Sequence, residues 1–265
     1  MKRFLVCLLA VSMLVSGAFA ANVDIDGVSF GGAKLINSVT YVPFRAFCEE
    51  LSDGKISWNG ESSTATLEGE GTSLSAGLGD MYIQCNGRYV YSGNKNLIID
   101  GSMFVPVRSI AKALDSVVEW NGTSRTAVVT SGAEVFKNAD AFYDGNELYW
   151  LSKIISAESA GEPLVGKIAV GNVVLNRVAS SEFPDNIYDV IFDTSGGVQF
   201  TPVANGTINN PPTEESIMAA KICLENYKVT DANTLFFLNP SISTSMWIPN
   251  NRDFVMSVGK HDFYA

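Results

Sequence analysis

The sequence predicts an α+β protein, with a small α+β repeat module over residues 21–132 and a mainly helical domain over residues 142–265. Two observations carry that division. Tyr41-Val42-Pro43-Phe44-Arg45 returns 63 residues later as Phe104-Val105-Pro106-Val107-Arg108, and Trp58-Asn59-Gly60 returns 62 residues later as Trp120-Asn121-Gly122, so the first half holds two copies of one unit. From Leu148 onward the repeat is gone and apolar residues recur at helical spacing.

Ahead of the repeat, Lys2 and Arg3, an apolar run from 4 to 15 and Ala18-Phe19-Ala20 read as a secretory signal peptide over residues 1–20. Its apolar run is too short for a membrane helix, and no other stretch approaches the roughly 18 apolar residues one needs. The mature chain is therefore expected to start near Ala21, to be secreted, and to hold no integral membrane segment. Losing Lys2 and Arg3 takes the formal charge from −10 to −12. That balance excludes a nucleic-acid partner and leaves any attraction to an anionic polymer to local groups.

Each repeat copy reads as a strand, a proline opening a helix, and a β-hairpin turning at Asn-Gly. The helices are expected over 43–51 and 106–114 and the hairpins over 56–67 and 117–129. Residues 74–99 are strand-rich with a turn at Asn86-Gly87, and the two copies are expected to share one sheet. The V-P-x-R and W-N-G signatures resemble the N-terminal domain of copper amine oxidases. Copper does not follow, because no histidine lies in this half. Arg45, Arg108, Trp58 and Trp120 would form a glycan- or protein-binding surface on a functional reading. Their presence in both copies is more simply explained as what each unit needs to fold: tryptophans in the core, arginines in buried hydrogen bonds. Residues 133–141 carry no strong signal and are expected to link the halves.

In the second half, Leu151, Ile154 and Ile155 form a helical stripe whose next position is Glu158. A carboxylate stands where a core residue belongs, and desolvation there would raise its pKa. Gly161 is expected to end this helix in a left-handed conformation and Pro163 to forbid its continuation. A second helix is predicted over 164–179, ending at Asn176 and Arg177, which could reach a cleft. A short helix over 186–192 leads into a Gly/Thr/Asn-rich loop, 194–210, expected to form a cleft wall. Thr213 caps a third helix running to about 227. Residues 235–238 read as a strand with which 254–258 is expected to pair.

Residue counts exclude much chemistry. His261 is the only histidine, so multi-histidine metal sites cannot be built. Cys48, Cys85 and Cys223 remain after the leader, without CxxC spacing; a Cys48–Cys85 disulfide and three buried thiols are both admissible. No metal or organic cofactor is implied.

The segments S-A-E-S-A-G-E-P, G-K-I-A-V-G-N-V-V-L-N-R-V, F-P at 183–184, Q-F at 199–200, F-L-N-P at 237–240 and the terminal G-K-H-D-F-Y-A together resemble the spore cortex-lytic enzyme (SleB-type) cell wall hydrolase family. That resemblance implies a lysozyme-like domain acting on peptidoglycan glycan strands, in the cell wall or spore envelope, by lytic transglycosylation. It implies Glu158 as the catalytic acid and matches Glu162, Gln199, Phe200 and His261. Read from their chemistry, Gln199 and Asn239 could bind N-acetyl groups, Trp247 could face a sugar ring, and Glu162 could bond loop amides. Hydrolysis would ordinarily need a second carboxylate, for which Glu162, Asp189, Asp193 and Glu225 are the candidates. The alternatives are a Cys223/His261 peptidase or amidase acting on wall peptides and a non-catalytic wall-binding protein.

Overall fold

A computed structural model describes residues 19–69, 71–132 and 134–265. The expected leader thus lies outside the described residues, apart from Phe19 and Ala20, whose backbone forms β1 (Phe19–Ala20). The first half continues with β2 (Asn22–Ile25), β3 (Val28–Phe30), β4 (Lys34–Ile36), β5 (Val39–Pro43), α1 (Phe44–Leu51), β6 (Lys55–Asn59), β7 (Thr64–Gly69), β8 (Thr72–Gly77), β9 (Tyr82–Cys85), β10 (Arg88–Tyr91), β11 (Leu97–Ile99), β12 (Ser102–Pro106), α2 (Val107–Ala113), β13 (Val117–Asn121) and β14 (Thr126–Thr130). Pro43 and Pro106 cap α1 and α2 from extended backbone near φ −60°, which suits a proline and forgoes only an N–H that a helix start leaves unpaired.

The two copies meet through their V-P strands: β5 and β12 pair antiparallel, with Val42 opposite Val105, in a sheet ordered β1-β4-β5-β12-β11. Their hairpins do not join it. The first hairpin extends a sheet ordered β10-β9-β8-β7-β6, and the second joins β13-β14-β2-β3, with β14 parallel to β2. The copies therefore share one sheet, as expected, through β5 and β12, while their hairpins lie in two further sheets, and among the described residues the three enclose one core around Val42, Phe44, Phe47, Leu67, Leu74, Ile83, Val105 and Ile110.

The expected burial of the repeated tryptophans and arginines is overturned. Trp58 is 47% exposed and Trp120 53%. Arg45 is exposed beside Glu49, and exposed Arg108 donates to the Val118 carbonyl. What the fold needs from W-N-G is the asparagine. Asn59 Oδ1 accepts from the Glu61 and Ser62 amides, Asn121 Oδ1 from those of Thr123 and Ser124.

The second half contains α3 (Ala139–Phe142), α4 (Gly145–Ser159), α5 (Leu164–Ala179), α6 (Ile187–Phe192), α7 (Thr201–Asn205), α8 (Glu214–Leu224), β15 (Phe236–Leu238), α9 (Trp247–Asn251), β16 (Phe254–Val258) and β17 (His261–Tyr264). Helices α4, α5 and α8 pack together around Leu151, Ile154, Ile155, Ile168, Val173, Ala219 and Ile222. Gly171 permits the close approach of α8: a Cβ there would lie 2.6 Å from Cys223 Sγ and 2.8 Å from Ile155 Cδ1. Cys48, Cys85 and Cys223 are buried free thiols.

Three local expectations are corrected. The segment 194–210 is not wholly irregular, since α7 and a 3₁₀ turn over Thr207–Asn209 occupy its end, separated by Gly206 at φ 82°. Helix α8 stops at Leu224 because Asn226 turns left-handed at φ 63°. Strand β16 pairs with β17, which also pairs with β15, so β17 is central; the tight turn at Gly259-Lys260 makes the hairpin the local choice. The linker is a packed strap, with Phe136 in the first core and α3 capped by Asn138.

The two halves meet at a buried ion pair. Arg88 on β10 donates from Nε and a terminal nitrogen to both oxygens of Glu225, at 2.6 and 2.8 Å. Tyr143 also donates to Glu225, at 2.9 Å. The guanidinium lies between the rings of Phe136 and Phe142, at 3.9 and 3.4 Å from their centroids. Lys221 donates to the Gly87 carbonyl, and Tyr91 packs edge-on against Tyr227. Bidentate geometry and a third donor leave the buried carboxylate satisfied, the condition under which such a pair holds a structure together.

Candidate active site

Helix α4 is started by Asp144, whose carboxylate accepts from the Asn146 and Glu147 amides. Leu151, Ile154 and Ile155 are fully buried, and the next inward position is Glu158, half-buried one residue before the helix ends. Gly161 does not end α4 in a left-handed turn. Ala160 is right-handed, and the chain reverses through Pro163, which caps α5 from extended backbone.

Glu158 opens into a cleft of about 1650 Å³. Burial pushes its pKa up from 4.5 to about 7, partly opposed by the Arg177 cation. Arg177, in the last turn of α5, donates from Nε to the Leu235 carbonyl at 2.8 Å and from a terminal nitrogen to Gln199 Oε1 at 3.4 Å. Its guanidinium also lies against Phe183, Phe200 and Phe236. One side chain thus ties α5, β15 and the 194–210 wall around the acid. That wall is held on its other side by Lys153 of α4, which donates to the carbonyls of Asn209 and Asn210.

Glu158, Glu162, Gln199, Phe200, Asn239, Trp247 and His261 all line this one cleft. Phe200 is buried, whereas Trp247 on α9 is 53% exposed and lies edge-on to Phe236. Asn239 Oδ1 accepts from the Ser241 amide. Glu162 is buried, and its Oε2 accepts from the Lys260 amide at 2.8 Å. A Cβ at Gly259 would overlap that carboxylate, and Gly259 has φ 60°. Lys167, fully buried, donates to the Glu162 carbonyl and to Glu215, which fixes the α4–α5 turn. His261 stands edge-on to Phe237, 5.4 Å between centroids, with its pKa lowered by burial and Nδ1 buried without a partner.

Of the remaining carboxylates, Glu182 lies at the exposed rim of the cleft. Asp189, Asp193 and Glu225 do not line it: Asp189 bonds Asn186 at the start of α6, Asp193 caps Ser195, and Glu225 holds the seam. Cys223 is not in the cleft either. It is packed between α5 and α8, its Sγ donates to the Ile168 carbonyl at 3.4 Å, and burial drives its pKa far upward, so it is no paired nucleophile for His261. Arg252 was not foreseen in the cleft; it stacks on Phe236 at 4.4 Å, and only its position just after the Trp247 segment hints at this.

Among the described residues no cluster of three or more histidine, cysteine or acidic groups has a metal-binding arrangement. Copper has no histidine ligand in the first half, and Cys48 and Cys85 are buried thiols with pKa values raised to about 12.

Comparison with known proteins connects both halves to described families. Residues 161–264 match the Cell Wall Hydrolase family, and residues 20–129 match the copper amine oxidase N-terminal domain. The spore cortex-lytic enzyme of Bacillus cereus is 36% identical over 121 residues, which cover 46% of this chain and 45% of that protein. That of Halalkalibacterium halodurans is 37% identical over 126 residues, covering 48% and 37% respectively. The chain therefore spans half or less of the length of these curated relatives. The catalytic domain of the germination-specific lytic transglycosylase SleB from Bacillus anthracis is 34% identical, with 49% of this chain and 100% of that chain covered at a TM-score of 0.43. Residues 161–264 thus carry a cell wall hydrolase domain like that of the spore cortex-lytic enzymes, and residues 20–129 a copper amine oxidase N-terminal domain.

Proposed function

We propose that this chain is a secreted enzyme that cleaves the MurNAc–GlcNAc bond of peptidoglycan by lytic transglycosylation, with Glu158 as acid and then base. Residues 142–265 form its catalytic domain, and it acts in the cell wall or spore envelope. The relatives are named for lysis of the spore cortex and SleB for lytic transglycosylation, which supports the substrate class. The family match begins at residue 161, so the support for Glu158 is its own environment.

The observation that carries the reading is one half-buried carboxyl with a pKa near 7, in a long cleft whose other buried carboxylate, Glu162, is committed to a backbone amide. Such a group is protonated often enough at neutral pH to act as an acid and, once ionised, is basic enough to take a proton back. Protonated Glu158 gives its proton to the glycosidic oxygen. The C1–O bond breaks, GlcNAc leaves as the alcohol, and positive charge develops at the muramoyl C1. Glu158 carboxylate, stabilised by the nearby Arg177 cation, then takes the proton of the muramoyl 6-hydroxyl while O6 bonds to C1. Glu158 ends protonated and no water is consumed. A hydrolase would ordinarily require a second free carboxylate at 5–10 Å, about the separations of retaining and inverting pairs. Exposed Trp247 suits a sugar face, and Gln199 and Asn239 suit acetamido groups.

The test is clearing of a peptidoglycan suspension by wild type, Glu158→Gln and Cys223→Ser. Clearing by wild type and C223S with loss in E158Q is expected. Loss in C223S with activity in E158Q would sustain the peptidase alternative, and an inert wild type the binding protein.

A further inference from the structure

The repeat predicts two equivalent faces, and they are not equivalent. Arg45 and Arg108 occupy the same place in the two copies, and the residue four further on is Glu49 in the first but Lys112 in the second. In the first copy the arginine is 3.8 Å from that glutamate, so its charge is balanced on the helix surface. In the second, Arg108 and Lys112 put two cations on one face of α2, an arrangement that disfavours the helix. This occurs in a chain of net charge −10.

The same face borders a cleft of about 750 Å³, bounded on one side by α2, β13 and the β4–β5 turn and on the other by the end of α8. The cleft walls include Val39, Val90 and Val118, and Trp120 stands over it half-exposed. Arg108, Lys112 and Glu225 are the charged residues lining it. Glu225 is neutralised by Arg88 and accepts from Tyr143, so the half-exposed Lys112 ammonium, a second and longer ion-pair partner of Glu225 at 3.7 Å, is a cation in excess, as is Arg108. The cleft therefore keeps a net positive charge, an exposed indole and an apolar floor. Together these fit an acylated sugar that carries a carboxylate: the sugar face on Trp120, the acyl group among the valines, the anion at Arg108 and Lys112.

We infer that the cleft between the second repeat copy and the end of α8 is a second glycan-strand site, which holds a muramoyl peptide through Trp120, Arg108 and Lys112. This rests on peptidoglycan being the substrate. Because the Arg88–Glu225 seam joins the module to α8, a strand held there stays at a fixed distance from the catalytic cleft. The site supplies locally the attraction for an anionic polymer that the chain's net charge denies.

The test uses the full chain, 15N-labelled, and follows the indole N–H resonances of its four tryptophans during titration with muramyl dipeptide and with uncharged chitotriose. The Trp120 resonance, assigned by Trp120→Phe, is expected to shift saturably with muramyl dipeptide and much less with chitotriose. Lys112→Glu, which restores the pattern of the first copy, is expected to weaken that binding about tenfold, the worth of one charge-assisted contact. Arg108→Gln does the same should K112E misfold, folding being read from the other three indoles. Glu49→Lys is expected to leave it unchanged. A Trp120 resonance that stays still, an equal response to chitotriose, or a gain in E49K as large as the loss in K112E overturns the inference. Clearing activity is read on the same preparations: a silent Trp120 in a chain that clears peptidoglycan sinks this inference alone. A shifting Trp120 in a chain that does not clear sustains the site and sinks the enzyme.

Discussion

Replacing Glu158 by glutamine removes one titrating proton and almost no volume, so its effect on stability isolates the price of burying an acid in the cleft. Burial moves the Glu158 pKa from 4.5 in the unfolded chain to about 7 in the folded one. A carboxyl whose folded pKa is raised stabilises the fold fully below the unfolded value and loses that contribution as pH rises through the folded one. The window is therefore pH 4.5 to 7. Each pKa unit is worth about 1.4 kcal/mol, so between pH 5 and pH 8 this side chain withdraws about 2–3 kcal/mol from wild type and nothing from E158Q. Urea unfolding of both proteins at pH 5, 6, 7 and 8 measures it, with all other titrations cancelling in the difference. The E158Q minus wild-type stability is expected to climb by that amount toward pH 8. Parallel curves would refute the claim that Glu158 is a desolvated acid, whatever the activity of the variant.

The rate of glycan cleavage is expected to be flat below the Glu158 pKa and to fall about tenfold per pH unit well above it, because only the protonated acid can start the reaction; an added acidic limb in initial rates would betray a second essential carboxylate. Arg177→Met removes the cation that opposes that pKa and is expected to move the alkaline limb upward, read from the same rate profile, while lowering activity through loss of the Leu235 and Gln199 contacts. Arg88→Met leaves Glu225 buried with no bidentate partner and is expected to destabilise the fold by about 3–5 kcal/mol in urea unfolding, with partial restoration in Arg88→Met/Glu225→Gln. Gly259→Ala forces a side chain against the Glu162 carboxylate from left-handed backbone and is expected to cost about 1–3 kcal/mol and to displace His261 and the β16–β17 hairpin, seen as a lower thermal midpoint and a moved His261 resonance.

What was legible in the sequence was local. Helix α5 runs over Leu164–Ala179, the predicted span, because Pro163 fixes its start and one apolar stripe runs its length. The inward position of Glu158 followed from the same 3.6-residue arithmetic, and Pro43 and Pro106 announced α1 and α2. Misreadings came where repetition or proximity stood in for packing. Trp58 and Trp120 recur, yet recurrence marks a shared requirement and not burial; the asparagines beside them serve the turn while the indoles stay half exposed. The central place of β17 depends on a hairpin at Gly259-Lys260 outcompeting a longer loop closure, which apolar pattern alone does not rank. The Arg88–Glu225 seam joins residues 137 apart in sequence, and no local signal pairs them. In the cleft, residues scattered from 158 to 261 come together, but the anchoring role of Arg177 depends on three walls that meet only in the fold.

The central claim is that one carboxyl serves both steps, so the ends of the product strands test it most directly. Purified peptidoglycan digested by the full chain and analysed by mass spectrometry, with and without borohydride reduction, should yield 1,6-anhydromuramoyl ends that resist reduction, and none with Glu158→Gln. Reducing muramoyl ends, one water heavier and shifted by borohydride, would contradict it.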